Sequence, residues 1–221
     1  MSFTFFTDRL GGYSQGDFSS LNLALHVDDD AETVRRNRNL IEQTHGATVY
    51  MNQVHGDRVE VISTPADQSY TCDALVTNVA GITLAVLVAD CIPLLLSSQN
   101  VIAAVHVGRR GLVNGIAAKT VGIMRDLGAE KITATLGPSI CGSCYEVDQN
   151  THDEVISIHP SAKSKTSTGT PALDLPTALV ADLAKLSITC QVDSRCTLED
   201  GDLFSYRKSH RTGRQAGLIR L

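Results

Sequence analysis

The run Ile82-Thr83-Leu84-Ala85-Val86-Leu87-Val88-Ala89 leads without interruption into Asp90-Cys91-Ile92-Pro93-Leu94. Its apolar side chains fall on both faces, the pattern of a β-strand covered by packed structure on each side. It is far too short to span a bilayer. Val101 to Val105 reads the same way, so the chain has at least two central strands. Further strand-like runs lie at Phe3 to Thr7, Thr48 to Met51, Val59 to Ile62, Ala74 to Thr77, Lys131 to Leu136, Ile188 to Val192 and Ala216 to Ile219.

Helical signals alternate with these strands. Ala31 to His45 opens on an Asp29/Glu32 pair resembling a capping box and closes at Gly46, a residue suited to a left-handed terminus. From Leu112 to Leu127, residues Val113, Ile116, Ala117, Val121, Met124 and Leu127 form one apolar stripe that stops at Gly128. Weaker helices fall near Asp148 to Ile158 and Leu175 to Leu186, and Ser161 to Pro171 reads as a surface loop. The expectation is an α/β chain: a single mixed-sheet domain over 1–221, with central buried strands and flanking helices.

Composition narrows the function. A chain of 221 residues buries about 70% of its unfolded surface. Its charged fraction of 19% is too low for a disordered chain. A formal charge of −5 and a pI near 5.8 argue against nucleic acid or an anionic membrane as partner, because both call for a basic surface. Small molecules fit better. No export signal is visible at the N-terminus, so the expected location is cytoplasmic, and the six cysteines read as free thiols or metal ligands.

Three segments place a transition-metal ligand where an apolar run stops. They are Asn52-Gln53-Val54-His55-Gly56, Ala89-Asp90-Cys91-Ile92-Pro93-Leu94 and Ala104-Val105-His106-Val107-Gly108. Two imidazoles and one thiolate make a zinc set that leaves a fourth position open, as in catalytic centres. His55, Cys91 and His106 are too far apart in sequence to form a local motif and must be joined by folding. Taken singly, each has an ordinary reading as a loop cap, a small buried hydrophobe or a core histidine. Asp90 reads either as an orienting carboxylate beside the centre or as a turn residue before Pro93. Gly108-Arg109-Arg110-Gly111, followed by a helix expected near Leu112, has the composition of an anion site; its plain alternative is two solvated arginines.

Other arrangements compete. Cys141-Gly142-Ser143-Cys144 is a C-x-x-C pair that is either redox active or completed by Cys190 and Cys196 into a four-thiolate zinc site. Cys91 with His55 or His106 as base would suit a cysteine hydrolase and needs the same proximity as metal ligation. The zinc-deaminase signature of H-x-E with P-C-x-x-C is absent.

Taken together, the three ligand segments, Asp73-Ala74-Leu75-Val76-Thr77, Gly108-Arg109-Arg110-Gly111, Gly137-Pro138 through Cys144-Tyr145-Glu146-Val147, Phe204-Ser205-Tyr206-Arg207 and Thr212-Gly213-Arg214-Gln215 resemble the bacterial laccase-domain family, also labelled polyphenol oxidase. Arg9-Leu10-Gly11-Gly12-Tyr13-Ser14 and Ser20-Leu21-Asn22-Leu23 resemble its opening, so the likeness spans nearly the whole chain. The resemblance implies a zinc enzyme with His55, Cys91 and His106 as metal ligands, acting on a nucleoside and phosphate. Its implied reactions are phosphorolysis of adenosine, inosine, guanosine or methylthioadenosine, and hydrolytic deamination of adenosine. Asp90, Asp73 and Glu146 are then candidate proton donors and Arg110 a phosphate ligand. Asn22, Arg38, Arg109 and Arg207 are candidate sugar or phosphate contacts, with structural roles as their alternative.

Copper is the alternative metal. The laccase label fits poorly, because multicopper centres use several His-x-His pairs and none occurs among the seven histidines. The family is also linked to editing of cytoplasmic peptidoglycan precursors, and a metal-binding protein without turnover is a third reading. Arg109 stands where the family usually carries Trp, a departure bearing on base stacking and phosphate affinity. Lys208 replaces a common second Arg.

Overall fold

A computed structural model describes residues 2–64 and 70–221. Eleven of its strands divide between two stacked sheets. The five-stranded sheet contains β1 (Phe3–Phe6), β2 (Thr48–Asn52), β4 (Tyr70–Thr71), β6 (Thr83–Val88) and β13 (Gln215–Arg220), in the order β1-β13-β6-β2-β4. The six-stranded sheet contains β3 (Val59–Val61), β5 (Ala74–Thr77), β7 (Ile92–Ser97), β8 (Ile102–Val107), β9 (Thr133–Leu136) and β12 (Thr189–Val192), in the order β12-β9-β7-β8-β5-β3. Both mix parallel and antiparallel pairs. β6 and β8, the two runs apolar on both faces, lie inside their respective sheets.

Alternation along these strands builds three cores. Leu84, Val86 and Val88 of β6 meet Leu75, Leu95, Ile102 and Ala104 of the other sheet between the two layers. Ala85 and Leu87, pointing the opposite way, pack with Leu23 and with Ile41 of α1 (Ala31–His45). Ala103, Val105 and Val107 of β8 face α3 (Ile116–Asp126) and α5 (Leu175–Lys185) through Ile116, Val121, Met124 and Leu179. The order is helix, sheet, sheet, helices. Burying each such leucine or valine stabilises the fold by about 1.5–3 kcal/mol, which is why neither sheet can expose a face.

Local details differ from the sequence reading in four places. The apolar stripe from Leu112 is broken into α2 (Arg109–Val113) and α3, because Gly115 takes a left-handed backbone with φ +70° between them. Arg109 and Arg110 therefore belong to the first turn of α2. At α1 the capping residue is Asp30, whose carboxylate accepts from the Thr33 amide at 2.8 Å; Asp29 instead accepts from Ser14 and Asn22. β7 was masked by Pro93, which reads as a turn signal yet sits in a strand paired on both sides. Finally, β10 (Lys163–Lys165) and β11 (Pro171–Leu173) pair as a hairpin that starts inside the stretch read as a loop and ends two residues beyond it. α4 (Gln149–Ile158) and α5 form where expected, each with an aspartate, Asp148 or Asp174, accepting from a first-turn amide.

Register fixes one end of the sandwich as the site. β2 and β6 run parallel, β8 finishes opposite the start of β7, and β5 begins beside Val105. The loop after β2, the β6–β7 crossing at 89–91, the end of β8 and the residue before β5 consequently converge at the seam between the sheets.

Candidate metal centre

His55, Cys91 and His106 meet there, with their ligating atoms all within 4.8 Å of one another. Cys91 Sγ lies 3.8 Å from His55 Nε2, and the two imidazole rings stand edge to face at 4.7 Å between centroids. Ligand atoms around a tetrahedral zinc stand about 3.3–3.8 Å apart, so the three donors need little movement to close on a cation. His106 is buried, Cys91 half-buried and His55 exposed, leaving one side of the group facing solvent.

Asp73 organises this triad from behind. Its fully buried carboxylate accepts His106 Nδ1 at 2.8 Å and the backbone amides of His55 at 2.9 Å and Gly56 at 2.7 Å. Val54 donates more weakly at 3.3 Å. Burial alone would raise the Asp73 carboxyl, but the bonds from His106 and Gly56 hold it below the usual carboxylate range. Holding Nδ1 leaves Nε2 of His106 as the ligand atom, the arrangement by which carboxylates orient metal-binding imidazoles. The donor set therefore fits a transition-metal ion, zinc and copper both accepting imidazole and thiolate. Gly108 completes the wall: a Cβ there would stand 3.0 Å from Cys91 Sγ and 3.1 Å from His55 Cδ2, so a side chain would press on both ligands.

Charge coupling within the group is strong. Burial pushes the Cys91 thiol up, yet the charge and hydrogen bond of His106 outweigh it and bring it down to about 6. Burial likewise lowers His106, but Cys91 and Asp73 raise it to about 9. The thiolate forms as pH rises through the lower value and the imidazolium persists until the upper one, so metal-free protein holds an ion pair between about 6 and 9. Alkylation of metal-free protein with iodoacetamide should therefore show Cys91 reacting with a midpoint near pH 6. Cys190, whose thiol burial raises, should react only in more alkaline solution. A Cys91 midpoint near the ordinary thiol value of about 8.5 would contradict the pairing.

Two clefts share this centre. A cavity of about 490 Å³ is lined by His26, Gln53, Asp90, Tyr206, Arg207 and Arg214 together with His55, Cys91, His106 and Tyr145. A smaller one of about 300 Å³ is lined by His55, Cys91, Arg109, Arg110 and Tyr145. Asp90 holds a left-handed backbone, φ +97°, and His55 another at +58°; such strain persists in non-glycine residues only where surroundings enforce it. For Asp90 the enforcement is visible, since its carbonyl accepts from the Ile140 amide and its carboxylate from Thr197 Oγ1 and the Arg207 amide, each of the latter at 2.7 Å.

The remaining candidates separate by position. Asp73 lines neither cleft and bonds instead to His106 and to the backbone of the His55 loop. Asn22 is fully buried, and its side chain bonds Ala24, Asp29 and the Arg214 amide. Arg38 donates to the Leu23 carbonyl and stacks on Tyr50. Glu146 is exposed, and its backbone carbonyl accepts from Arg207 Nη1 at 2.7 Å. None of Asn22, Arg38 and Glu146 lines either cleft. Cys190 stands apart from the other sulfurs, packed from β12 against the helix-side core. His26, Tyr145, Tyr206 and Arg214 were not singled out from the sequence. Tyr145, Tyr206 and Arg214 occur in the segments that carry the family likeness, which was the available signal; His26 carried none.

The fold and this residue group define a class of protein: an α/β sandwich with a mixed imidazole–thiolate cluster, able to hold a metal ion, at its sheet seam. Residues 3–221 match the family described as multi-copper polyphenol oxidoreductase laccase, and the chain belongs to that laccase-like family. A purine nucleoside phosphorylase of Corynebacterium glutamicum is 45% identical over 226 residues, covering 97% of this chain and 92% of the relative. One from Streptomyces coelicolor is 43% identical, covering 97% and 93%. The crystal structure of a Neisseria meningitidis protein assigned to family DUF152 superposes with a TM-score of 0.91 at 34% identity, covering 100% of this chain and 94% of that one. YlmD from Geobacillus stearothermophilus gives 0.85 at 31%, covering 99% and 91%.

Proposed function

We propose that this protein is a zinc-dependent purine nucleoside phosphorylase that also deaminates adenosine hydrolytically. The observation that carries the reading is the pair of adjoining clefts around one centre. The larger has a volume within the range of small-molecule sites, about 300–1,000 Å³. The smaller presents Arg109 and Arg110 beside the same His55 and Cys91. A nucleoside in the first and phosphate in the second would meet at the centre, and arginine is the side chain suited to hold phosphate.

His55, Cys91 and His106 would hold the metal, which supplies Lewis acidity that activates water and stabilises developing negative charge. In phosphorolysis, Arg109 and Arg110 position phosphate for attack on the sugar's anomeric carbon. A carbon–oxygen bond forms, the glycosidic carbon–nitrogen bond breaks, and its electron pair leaves with the purine, which takes up a proton. Asp90 is placed to relay that proton, because Thr197 and the Arg207 amide fix its carboxylate on the cavity wall. In deamination, water adds to the amino-bearing purine carbon and ammonia departs with a proton relayed by the same carboxylate. Arg207 is a sugar contact from the cavity rim, braced against Tyr145 at 5.1 Å. Arg109 in place of the family's Trp gives this cleft a second cation and favours phosphate over base stacking.

Multicopper oxidation would require several His-x-His pairs, whereas two histidines and one cysteine come together here among the described residues. Zinc-loaded protein incubated with adenosine, inosine, guanosine and methylthioadenosine should release free base and sugar 1-phosphate only when phosphate is present, and should convert adenosine to inosine without it. Absence of both products from a fully metal-loaded sample would overturn the proposal, and cleavage of a peptidoglycan precursor amide by that sample would replace it.

A further inference from the structure

A second group of ligands lies outside the centre described above. Sγ of Cys141, Cys144 and Cys196 and a carboxylate oxygen of Glu199 lie within 4.8 Å of one another. Two sequence-distant segments supply them, brought side by side by a bridge between Ser139 and Cys196 and by the Thr197 amide donating to the Ser139 carbonyl at 3.2 Å. Each segment contributes two ligands three residues apart, and each is closed by the same turn. The amides of Cys144 and Tyr145 donate to the Cys141 carbonyl at 3.1 and 3.0 Å. Those of Glu199 and Asp200 donate to the Cys196 carbonyl at 3.1 and 2.8 Å. Zinc ribbons hold their ion on two such turns, each a C-x-x-C; here the second turn is C-x-x-E, Cys196 to Glu199.

The first turn admits no other residue at Gly142, where a Cβ would stand 2.7 Å from Asp174 Cβ. The Cys141 amide already donates to Cys196 Sγ at 3.3 Å, and Cys144 Sγ lies 3.5 Å from Glu199 Oε1. Sulfurs around a tetrahedral zinc stand about 3.8 Å apart, so contraction of about 1 Å or less closes the group. Three thiolates and a carboxylate fill all four positions, the mark of a structural site, and thiolates select zinc over magnesium or calcium.

We propose that Cys141, Cys144, Cys196 and Glu199 bind a second zinc ion that pins two walls of the larger cavity together. Tyr145, directly after Cys144, lines both clefts, and Thr197, directly after Cys196, holds the carboxylate of Asp90. The ion thus secures the elements that position Tyr145 and Asp90 and takes no part in bond making. Glu199, exposed at the rim, is its solvent-side ligand. This inference does not depend on the catalytic reading, because the two ligand sets share no residue.

Elemental analysis of reduced, zinc-reconstituted full-length protein tests it. Wild type is expected to carry two zinc ions per chain, Cys91→Ala one, and Cys144→Ser one. Cobalt added to Cys91→Ala should give a thiolate-to-cobalt charge-transfer band that weakens on adding Cys144→Ser in proportion to the sulfur removed. Glu199→Cys changes only an exposed rim residue and should slow zinc loss to a chelator at least tenfold. Cys91→Ala protein that binds no zinc, or a Glu199→Cys variant that loses it at the wild-type rate, would each overturn the proposal.

Discussion

Cys91→Ala is expected to abolish phosphorolysis and deamination together and to lower zinc affinity at the seam by more than about 100-fold, the upper end of what loss of a mere outer-sphere partner costs. The reason is geometric. With Sγ gone, the cation keeps two imidazoles, one of them on the exposed His55, and the central donor between the two clefts is lost. The substitution removes a half-buried thiol from a loop whose backbone is held independently by Ile140, so the fold should survive and the loss read as ligation, not unfolding. Parallel measurement of zinc content, thermal midpoint and nucleoside turnover checks this. Retained activity in protein lacking Cys91 would show that the centre is misassigned.

Asp73→Asn should be the most damaging change that replaces no metal-ligand candidate. The carboxylate serves backbone amides from three consecutive residues and His106 Nδ1, all of them donors. An asparagine turns one of its two termini into a donor facing those donors, leaving buried N–H groups unsatisfied and His106 without its charged partner. Breaking a buried ion pair from one side costs about 3–5 kcal/mol. For a chain of this size each kcal/mol lowers the melting temperature by roughly 2–4 °C, so a fall of about 6–20 °C is expected. Zinc affinity at the seam should fall a further 10–100-fold because His106 is no longer oriented. Calorimetry of metal-free and zinc-loaded protein separates the two effects. An unchanged melting temperature would refute the account of Asp73 as the organiser of the His55 loop.

Reading outward from Ile82 to Ala89 recovered the α/β class, the ends of most strands and the three metal-ligand candidates, because each rests on local patterning. Strands buried on both faces are apolar throughout, and a ligand placed just after such a run must stand at a sheet end. Where local signals conflicted, the reading failed for definable reasons. Pro93 concealed β7, because a proline normally marks a turn and only pairing with β8 and β9 shows it inside a sheet. The break at Gly115 was hidden because the apolar stripe of α3 continues in phase with Val113 of α2. Asp73 and Asp90, alike as candidates in the sequence, take different positions, one behind His106 and the other on the cavity wall. The sequence's pairing of Cys190 with the C-x-x-C motif gave way to Glu199, since β12 turns Cys190 toward the core.

Sequence by itself determined which segments are buried, which residue types are available as ligands, and the family to which the chain belongs. The first two follow from periodicity and residue chemistry over short spans, and the third from the likeness of several ordered segments to those of the family. Tertiary structure alone decided that two sheets stack with their site ends together, that His55, Cys91 and His106 share one cation's reach while Asn22, Arg38 and Glu146 stand aside, and that three cysteines and a glutamate gather beside Tyr145. Those outcomes depend on strand register and layer order, set by contacts between residues far apart in the chain, which no local pattern encodes.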